Sequence, residues 1–141
     1  MYKCIYFGLK ELVSPVVYNK WGEQAWMFFG EDELLDLDTI RETWGSSIII
    51  NNWGSGLKQC GLRSNLDEIP YGHTKKNELY LSGHTMGKAF DLHAGNGLNN
   101  KLWAHCYNLI AHKKLRAFRR LEEKTNGWVH IDSLRGNHYT F

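Results

Sequence analysis

The N-terminal third of the chain carries apolar residues at helical spacing. Ser14 and Pro15 match the N-cap and first position of a helix whose aromatic stripe continues towards Gly30. A second helix is predicted from about Glu31 to Trp44, because an acidic first turn precedes a stripe of leucine and isoleucine. Both stripes are typical of helices that pack on a hydrophobic core.

The middle of the chain loses this period. A β-branched run from Ser47 to Asn51 predicts the first strand. From Asn52 to Tyr80 glycines and a proline interrupt the pattern and predict a long irregular loop. A loop of this length inside a compact domain usually carries function.

The last third of the chain predicts one helix and one hairpin. The helix runs from about Asn100 to Lys114. Strands over 118–122 and 128–132 are expected to form a hairpin closed near Asn126-Gly127, a dipeptide typical of tight turns. Helices followed by a small, mostly antiparallel sheet indicate an α+β fold.

Length and charge narrow the choice of class. A chain of 141 residues suits one core, so a single domain over residues 1–141 is expected. The formal net charge of +2 is small, and the basic run from Lys113 to Arg120 spans a helix end and a strand. Its charges therefore do not form one stripe, and no nucleic-acid partner is expected. No apolar run approaches the length of a membrane span.

Cysteine usage and the N-terminal stretch indicate where the protein is made. Cys4, Cys60 and Cys106 are an odd set without C-x-x-C spacing, which argues against a disulfide framework and a thiolate metal site. The N-terminal stretch lacks the apolar region of a signal peptide. We therefore expect buried thiols in a protein that is synthesised in a reducing cytoplasm.

Two distant motifs, Ser82 to Ala94 and Trp128 to Asp132, carry the candidate chemistry. They offer two imidazoles and a carboxylate: His84, Asp91 and His130. Asp91 lies in an apolar stretch, where an unpaired carboxylate is costly and a cation would satisfy it. Two histidines and one acid leave one position of a tetrahedral zinc ion open, which is the ligand count of a catalytic site. The sequence thus predicts one Zn²⁺ in a hydrolytic centre.

These motifs resemble a family of zinc peptidases that cleave peptidoglycan, the D-Ala-D-Ala carboxypeptidases and L-alanyl-D-glutamate endopeptidases. The pattern is Ser-x-His-x-x-Gly-x-Ala-x-Asp followed downstream by Trp-x-His-x-Asp, and the N-terminal part is similar to the phage-associated branch. The matching residues are Ser82, His84, Gly87, Ala89, Asp91, Trp128, His130 and Asp132. The resemblance covers most of the chain and implies a hedgehog-like fold with His84, Asp91 and His130 as metal ligands.

The resemblance also implies a substrate-binding arginine. Arg63, in the segment CGLRS, matches the arginine of the family's Ser-Gly-x-Arg-Ser motif, which lies in the substrate cleft. Without the family match, Arg63 is equally a loop arginine that pairs with Asp67 or Glu68. Ser82 is also expected to be a substrate-binding residue, and to cap or hydrogen-bond near the metal loop.

The residue expected to act as the general base departs from the family's usual pattern. Many relatives carry a glutamate three residues before the last histidine, and that position is Gly127 here. The phage-like branch instead carries an acid on the preceding strand, about where Glu122 stands. Hairpin counting with Asn126-Gly127 as the turn places Glu123 opposite His130, and a one-residue bulge would exchange the two. Glu122 is therefore the expected base, with Glu123 kept open.

Asp132 shares a strand face with His130, because side chains alternate with a period of two. It would orient a ligand histidine through its free ring nitrogen, or hydrogen-bond substrate. The alternative is a cross-strand ion pair with Arg116, Arg119 or Arg120.

Together these observations predict zinc-dependent hydrolysis of a peptide bond in peptidoglycan stem peptides, by a carboxypeptidase or an endopeptidase such as a phage or prophage endolysin. The alternative is a non-catalytic zinc domain of the same fold that serves as a phage structural or wall-binding module. Without a signal peptide, the protein is expected to reach the wall after lysis or as part of a virion.

Overall fold

The computed structural model describes residues 1–123 and 127–139. Within them the protein has an α+β fold with a three-stranded antiparallel sheet. The helices are α1 (Leu9–Leu12), α2 (Pro15–Trp21), α3 (Glu31–Trp44), α4 (Glu68–Lys75) and α5 (Asn99–Ala111), and the strands are β1 (Ala89–Leu92), β2 (Arg120–Leu121) and β3 (Val129–Asp132). Shorter 3₁₀ turns cover Gly22–Phe28, Trp53–Ser55 and His84–Met86.

The two predicted N-terminal helices are present. Helix α2 begins at the expected place, because Ser14 Oγ accepts a hydrogen bond from the Val17 amide at 3.3 Å and Pro15 occupies the first turn. After Trp21 the chain tightens into the 3₁₀ turn instead of continuing as α-helix. Helix α3 has the predicted bounds and ends at Gly45, whose φ of 77° is left-handed and favours glycine.

The sheet places a polar row on one face. The strand order is β1-β3-β2, so β3 is central. Asp91 lies opposite His130 and Ala89 opposite Asp132, while Arg120 lies opposite Asp132 from the other side. Side chains at opposed positions point to the same face of a sheet. The alternate residues of the three strands are apolar and pack into the core, so the sheet separates the core from the polar row.

The predicted strand from Ser47 to Asn51 is wrong. In this segment Ile49 makes an isolated bridge to His93, with both backbone hydrogen bonds at 2.8 Å. The ladder stops there because the amide of Asn51 bonds to Glu11 of α1 and its side chain bonds to Val13 and Cys60. The segment is extended and anchors the core through buried isoleucines, without forming a strand.

The predicted loop from Asn52 to Tyr80 contains helix α4, which the sequence analysis missed. Pro70 is the third residue of this helix, within the first turn, where its missing N–H removes no intrahelical bond. The Asp67 carboxylate just before the helix accepts hydrogen bonds from Ser14 Oγ at 2.7 Å and from the Ser64 amide at 2.6 Å. These contacts fix the start of α4 against the start of α2.

The C-terminal elements are shorter than predicted. Helix α5 ends at Ala111 rather than near Lys114, and β2 covers two residues rather than 118–122. Asn126 of the predicted turn lies outside the described residues. Among the described residues, no helix combines the length and the apolar composition that crossing a bilayer requires.

The segment before β2 is held by a buried carboxylate instead of a strand partner. Asp36 of α3 is 1% exposed and accepts hydrogen bonds from the amides of Arg116, Ala117 and Phe118 at 2.8, 2.7 and 2.9 Å. Burial raises the pKa of Asp36 despite these three bonds. The contact joins α3 to the strand that carries one side of the polar row.

We expect Asp36→Ala to destabilise the protein by about 3–5 kcal/mol, because three backbone amides, two of them buried, would lose their acceptor. Urea unfolding at neutral pH would measure the loss. The matched control is Asp32→Asn on the same helix, whose exposed carboxylate lies 3.6 Å from Arg116 and should contribute about 0.5 kcal/mol or less. Equal effects of the two substitutions would contradict this assignment.

Candidate metal centre

The sheet and one loop bring three metal-binding side chains together. Asp91 and His130 meet because they are opposed across β1 and β3. His84 reaches them from the 3₁₀ turn that precedes β1. All three residues are buried, with exposures of 4%, 9% and 6% for His84, Asp91 and His130.

Glycine and alanine in the motif let this loop pack closely on its neighbours. Gly87 has a φ of 68°, and a Cβ there would lie 2.6 Å from the Phe28 carbonyl oxygen. A Cβ on Gly83 would lie 2.6 Å from that of Ala89, so the two small residues allow the loop to rest on β1. A larger side chain at either position would displace His84.

The ligand atoms form a small triangle. Asp91 Oδ1 lies 2.8 Å from His130 Nδ1 and 3.3 Å from His84 Nε2, and the two imidazole nitrogens are 3.3 Å apart. One carboxylate oxygen and two ring nitrogens thus converge on one point. This group can bind a metal ion.

Neighbouring acceptors determine which ring nitrogen faces the triangle. His84 Nδ1 lies 2.9 Å from the Gly61 carbonyl oxygen, which can only accept, so Nδ1 carries the proton and Nε2 presents its lone pair. His130 Nε2 lies 3.3 Å from Asp132 Oδ2 and in the same way leaves Nδ1 for the centre. Three electron-pair donors facing one another require a cation or a proton between them.

Burial and charge shift the three pKa values in different directions. Burial lowers the pKa of His84. Burial opposes the charge of Asp91, but hydrogen bonds with His130 and His84 outweigh it and hold the pKa of Asp91 well below its usual range. Burial also disfavours charge on His130, yet its bonds with Asp132 and Asp91 raise the pKa of His130 to about 9. Without metal, a proton on His130 Nδ1 therefore holds the triangle together.

Asp132 fulfils both alternatives left open by the sequence. Arg120 Nε donates to Asp132 Oδ1 at 2.8 Å and its terminal nitrogen to Oδ2 at 2.9 Å, a two-pronged ion pair. The same Oδ2 orients His130. Burial works against the charge, but the bonds with His130 and Arg120 lower the pKa of Asp132 to about 2. Asp132 is thus an ionised carboxylate that links Arg120 to a ligand histidine.

Glu122 is the glutamate on the polar row. Its amide donates to the His130 carbonyl at 3.1 Å, which places Glu122, not Glu123, opposite His130. The count that assumed an Asn126-Gly127 turn is therefore off by one residue. Glu122 is 5% exposed, and its Oε2 has no hydrogen-bond partner within the described part of the chain. Burial is the main reason why the pKa of Glu122 is raised, whereas Glu123 is exposed.

Arg63 and Ser82 line the same cleft as the triangle. The Arg63 guanidinium lies 3.5 Å from Asp91 Oδ2 and 3.3 Å from the Tyr80 hydroxyl, and it also bonds to the Gln59 carbonyl. The described ion pair of Arg63 is therefore with Asp91, not with Asp67 or Glu68. Ser82 Oγ accepts from the Thr85 amide at 3.4 Å and so caps the metal loop.

These residues line a cleft of about 340 Å³. The lining residues that sequence reasoning missed include three with polar side chains, Tyr80, Arg120 and Tyr139. Arg120 was considered only as a partner of Asp132, and no pattern marked the tyrosines as cleft residues. The segment after β3 reaches the cleft and contributes Tyr139 to its lining. His138 instead accepts a hydrogen bond from the Leu121 amide at 3.0 Å.

The three cysteines are free. Cys60 Sγ lies 3.5 Å from His93 Nε2, a contact between residues distant in sequence. Burial raises the pKa of Cys60 to about 11, so the group remains a thiol at neutral pH.

Comparisons with protein-family models, with curated proteins and with solved structures found no match for this chain.

The raised pKa of His130 predicts how the stability of the metal-free protein depends on pH. The folded-state pKa of about 9 exceeds the unfolded value of 6.5, so the stabilisation is fully present below about pH 6.5 and is lost as pH rises through 9. We expect the unfolding free energy of chelator-treated protein to fall by at most about 3 kcal/mol over this window, measured with urea. His130→Gln should flatten the profile. A wild-type stability that rises over the same window would contradict the assignment.

Proposed function

We propose that this protein is a zinc-dependent peptidase that hydrolyses a peptide bond in peptidoglycan stem peptides. The observation that carries the proposal is the convergence of His84 Nε2, Asp91 Oδ1 and His130 Nδ1 in the cleft that Glu122 also lines. Glu122 Oε2 is buried there and has no hydrogen-bond partner among residues 1–123 and 127–139. Three metal ligands next to a carboxylate of raised pKa are the groups that a metal-dependent hydrolase uses to activate water.

The triangle fits zinc in its dimensions and its donor set. A tetrahedral zinc ion with bonds of about 2.0–2.1 Å requires about 3.3–3.4 Å between ligand atoms. Two of the three separations are 3.3 Å, and the third, 2.8 Å, is the length of a hydrogen bond through a proton that zinc would replace. Two imidazoles and one carboxylate also match the ligands of catalytic zinc.

Each residue of the polar row has a defined role in this proposal. Zinc, when bound, supplies a Lewis acid and makes water acidic near neutral pH. Glu122 accepts the proton of the attacking water on Oε2 and returns it to the leaving amine. Its raised pKa suits both steps, because a carboxylate that holds a proton more readily than usual can also return it as an acid. Asp132 keeps the Nε2 proton of His130 in place throughout.

Arg63 is proposed to bind a substrate carboxylate or the developing oxyanion. The described contacts use three of its five N–H donors, and the contact with Asp91 is long at 3.5 Å. A cation bound to Asp91 would offset the charge of its carboxylate and so weaken the ion pair between Asp91 and Arg63. Stem peptides carry free carboxylates, which a planar guanidinium can bind through two hydrogen bonds.

The choice of peptidoglycan rests on the resemblance of the two motifs to the wall-cleaving zinc peptidases. On the same basis we propose a phage or prophage origin, with access to the wall after lysis or as part of a virion. A non-catalytic zinc domain that binds the wall or builds a virion remains the second candidate. It is favoured by Gly127, which occupies the position where many relatives carry their glutamate.

The proposed base can be tested with neighbouring glutamates. We expect Glu122→Gln to lower kcat by about 10²–10⁴-fold while zinc still binds stoichiometrically, because a positioned proton acceptor supplies that factor. Glu123→Gln, on the exposed neighbour, is the control and should retain activity. If the two variants showed the reverse order, Glu123 would be the base.

The activity itself is tested by mass spectrometry of purified peptidoglycan and synthetic stem peptides after incubation with the zinc-loaded protein. We expect release of one defined fragment, which would name the bond. His84→Ala should release none, because it removes a metal ligand. Stoichiometric zinc with no release from several wall chemistries would favour the non-catalytic candidate.

A further inference from the structure

Tyr139 contacts the metal centre from outside the ligand set. Its hydroxyl donates to Asp132 Oδ2 at 3.2 Å, the same oxygen that lies 3.3 Å from His130 Nε2. Its ring lies 4.4 Å from the Arg120 guanidinium and meets the His130 ring edge to face at 5.8 Å. Tyr139 therefore contacts all three members of the Arg120–Asp132–His130 chain.

The backbone around Tyr139 is fixed to β2. The Tyr139 amide donates to the Leu121 carbonyl at 3.2 Å, and the Glu123 amide donates to the Tyr139 carbonyl at 2.6 Å. These bonds bridge Tyr139 and Glu122, so the segment continues the sheet beyond β2. The side chain thus reaches the polar row from a rigid edge and not from a free loop.

The contacts of Asp132 show what Tyr139 adds. Oδ1 accepts from Arg120 Nε at 2.8 Å and from the Leu134 amide at 2.9 Å. Oδ2 accepts from Arg120 and Tyr139, while its contact with His130 is the longest of its contacts, at 3.3 Å. Because the contact with His130 is long, the carboxylate is oriented by its other partners. The Tyr139 ring also lies against the Arg120 guanidinium in a cation–π contact, which adds a second constraint on the ion pair.

We propose that Tyr139 is a positioning residue of the metal centre. By holding Asp132 and Arg120 it fixes the orientation of the His130 ring, and so sets how tightly Nδ1 binds metal. The inference rests on the proposed zinc centre but not on peptidase activity. It adds a residue to the centre that neither motif contains.

The test compares Tyr139→Phe and Tyr139→Ala with wild type in the full chain. Zinc affinity is measured by competition with a chromophoric chelator, and the visible spectrum of the Co²⁺-substituted protein reports the ligand geometry. We expect zinc affinity to fall about 3–10-fold in Tyr139→Phe and about 10–100-fold in Tyr139→Ala, with a changed Co²⁺ spectrum in both. Tyr71→Phe, at an exposed tyrosine on α4, is the control and should match wild type.

The melting temperature of each metal-free variant separates positioning from folding. A purely structural Tyr139 would lower the melting temperature but leave the zinc affinity and Co²⁺ spectrum of the folded protein unchanged, which would overturn the inference. Tyr139→Phe keeps the ring and retains a folded test if Tyr139→Ala unfolds. Wild type that bound no zinc would overturn both this inference and the proposed function, whereas unchanged affinity in the variants would overturn this inference alone.

Discussion

The antiparallel register that sets Asp91 opposite His130 is the constraint on which the centre depends. Opposed residues of such a pair lie about 4.5–5.5 Å apart, so a carboxylate and an imidazole meet there without help from a loop. A slip of β1 by one residue would turn Asp91 towards the core and bring Phe90 to the cleft, while His130 kept its place on β3. The apolar face of the sheet therefore fixes the register that the polar face uses.

Buried carboxylates hold the segments that lack regular structure. Asp36 collects three amides before β2, and Asp38 collects two amides and the Tyr2 hydroxyl at the N-terminal segment. Asp67 does the same between α2 and α4. Each carboxylate accepts the hydrogen bonds that a neighbouring strand would otherwise accept. Segments outside the small sheet are therefore held in place without forming strands. Asp91 is a further buried carboxylate with several partners, because it contacts His84, His130 and Arg63 from three separate segments.

The sequence predicted what depends on local pattern and missed what depends on distant contacts. Helix α3 has its predicted bounds because its acidic start, apolar stripe and Gly45 all act locally. The run from Ser47 to Asn51 has the composition of a strand, but it does not form one because Asn51 hydrogen-bonds to residues that are distant in sequence. Helix α4 was hidden because Pro70 signals a break unless its position in the first turn is known.

The residues of the site divide in the same way, into those marked by a local motif and those placed by distant contacts. His84, Asp91 and His130 were predicted as a set, and the structure brings them together. The position of Glu122 opposite His130 depends on the register of β2 on β3. Counting back from an assumed Asn126-Gly127 turn did not give that register. Tyr139 carries no motif, and its role depends on where the segment after β3 folds.

The distance along the chain between His84 and His130 indicates how a bound metal ion would affect stability. His84 and His130 are 46 residues apart, so an ion shared between them closes a long loop and pins the hairpin to the loop before β1. A crosslink of that span is what a disulfide provides in secreted domains, by reducing the freedom of the unfolded chain. Here all three cysteines are free thiols, and a coordinated ion would be the staple. Such a staple can be withdrawn by a chelator and restored in a reducing environment.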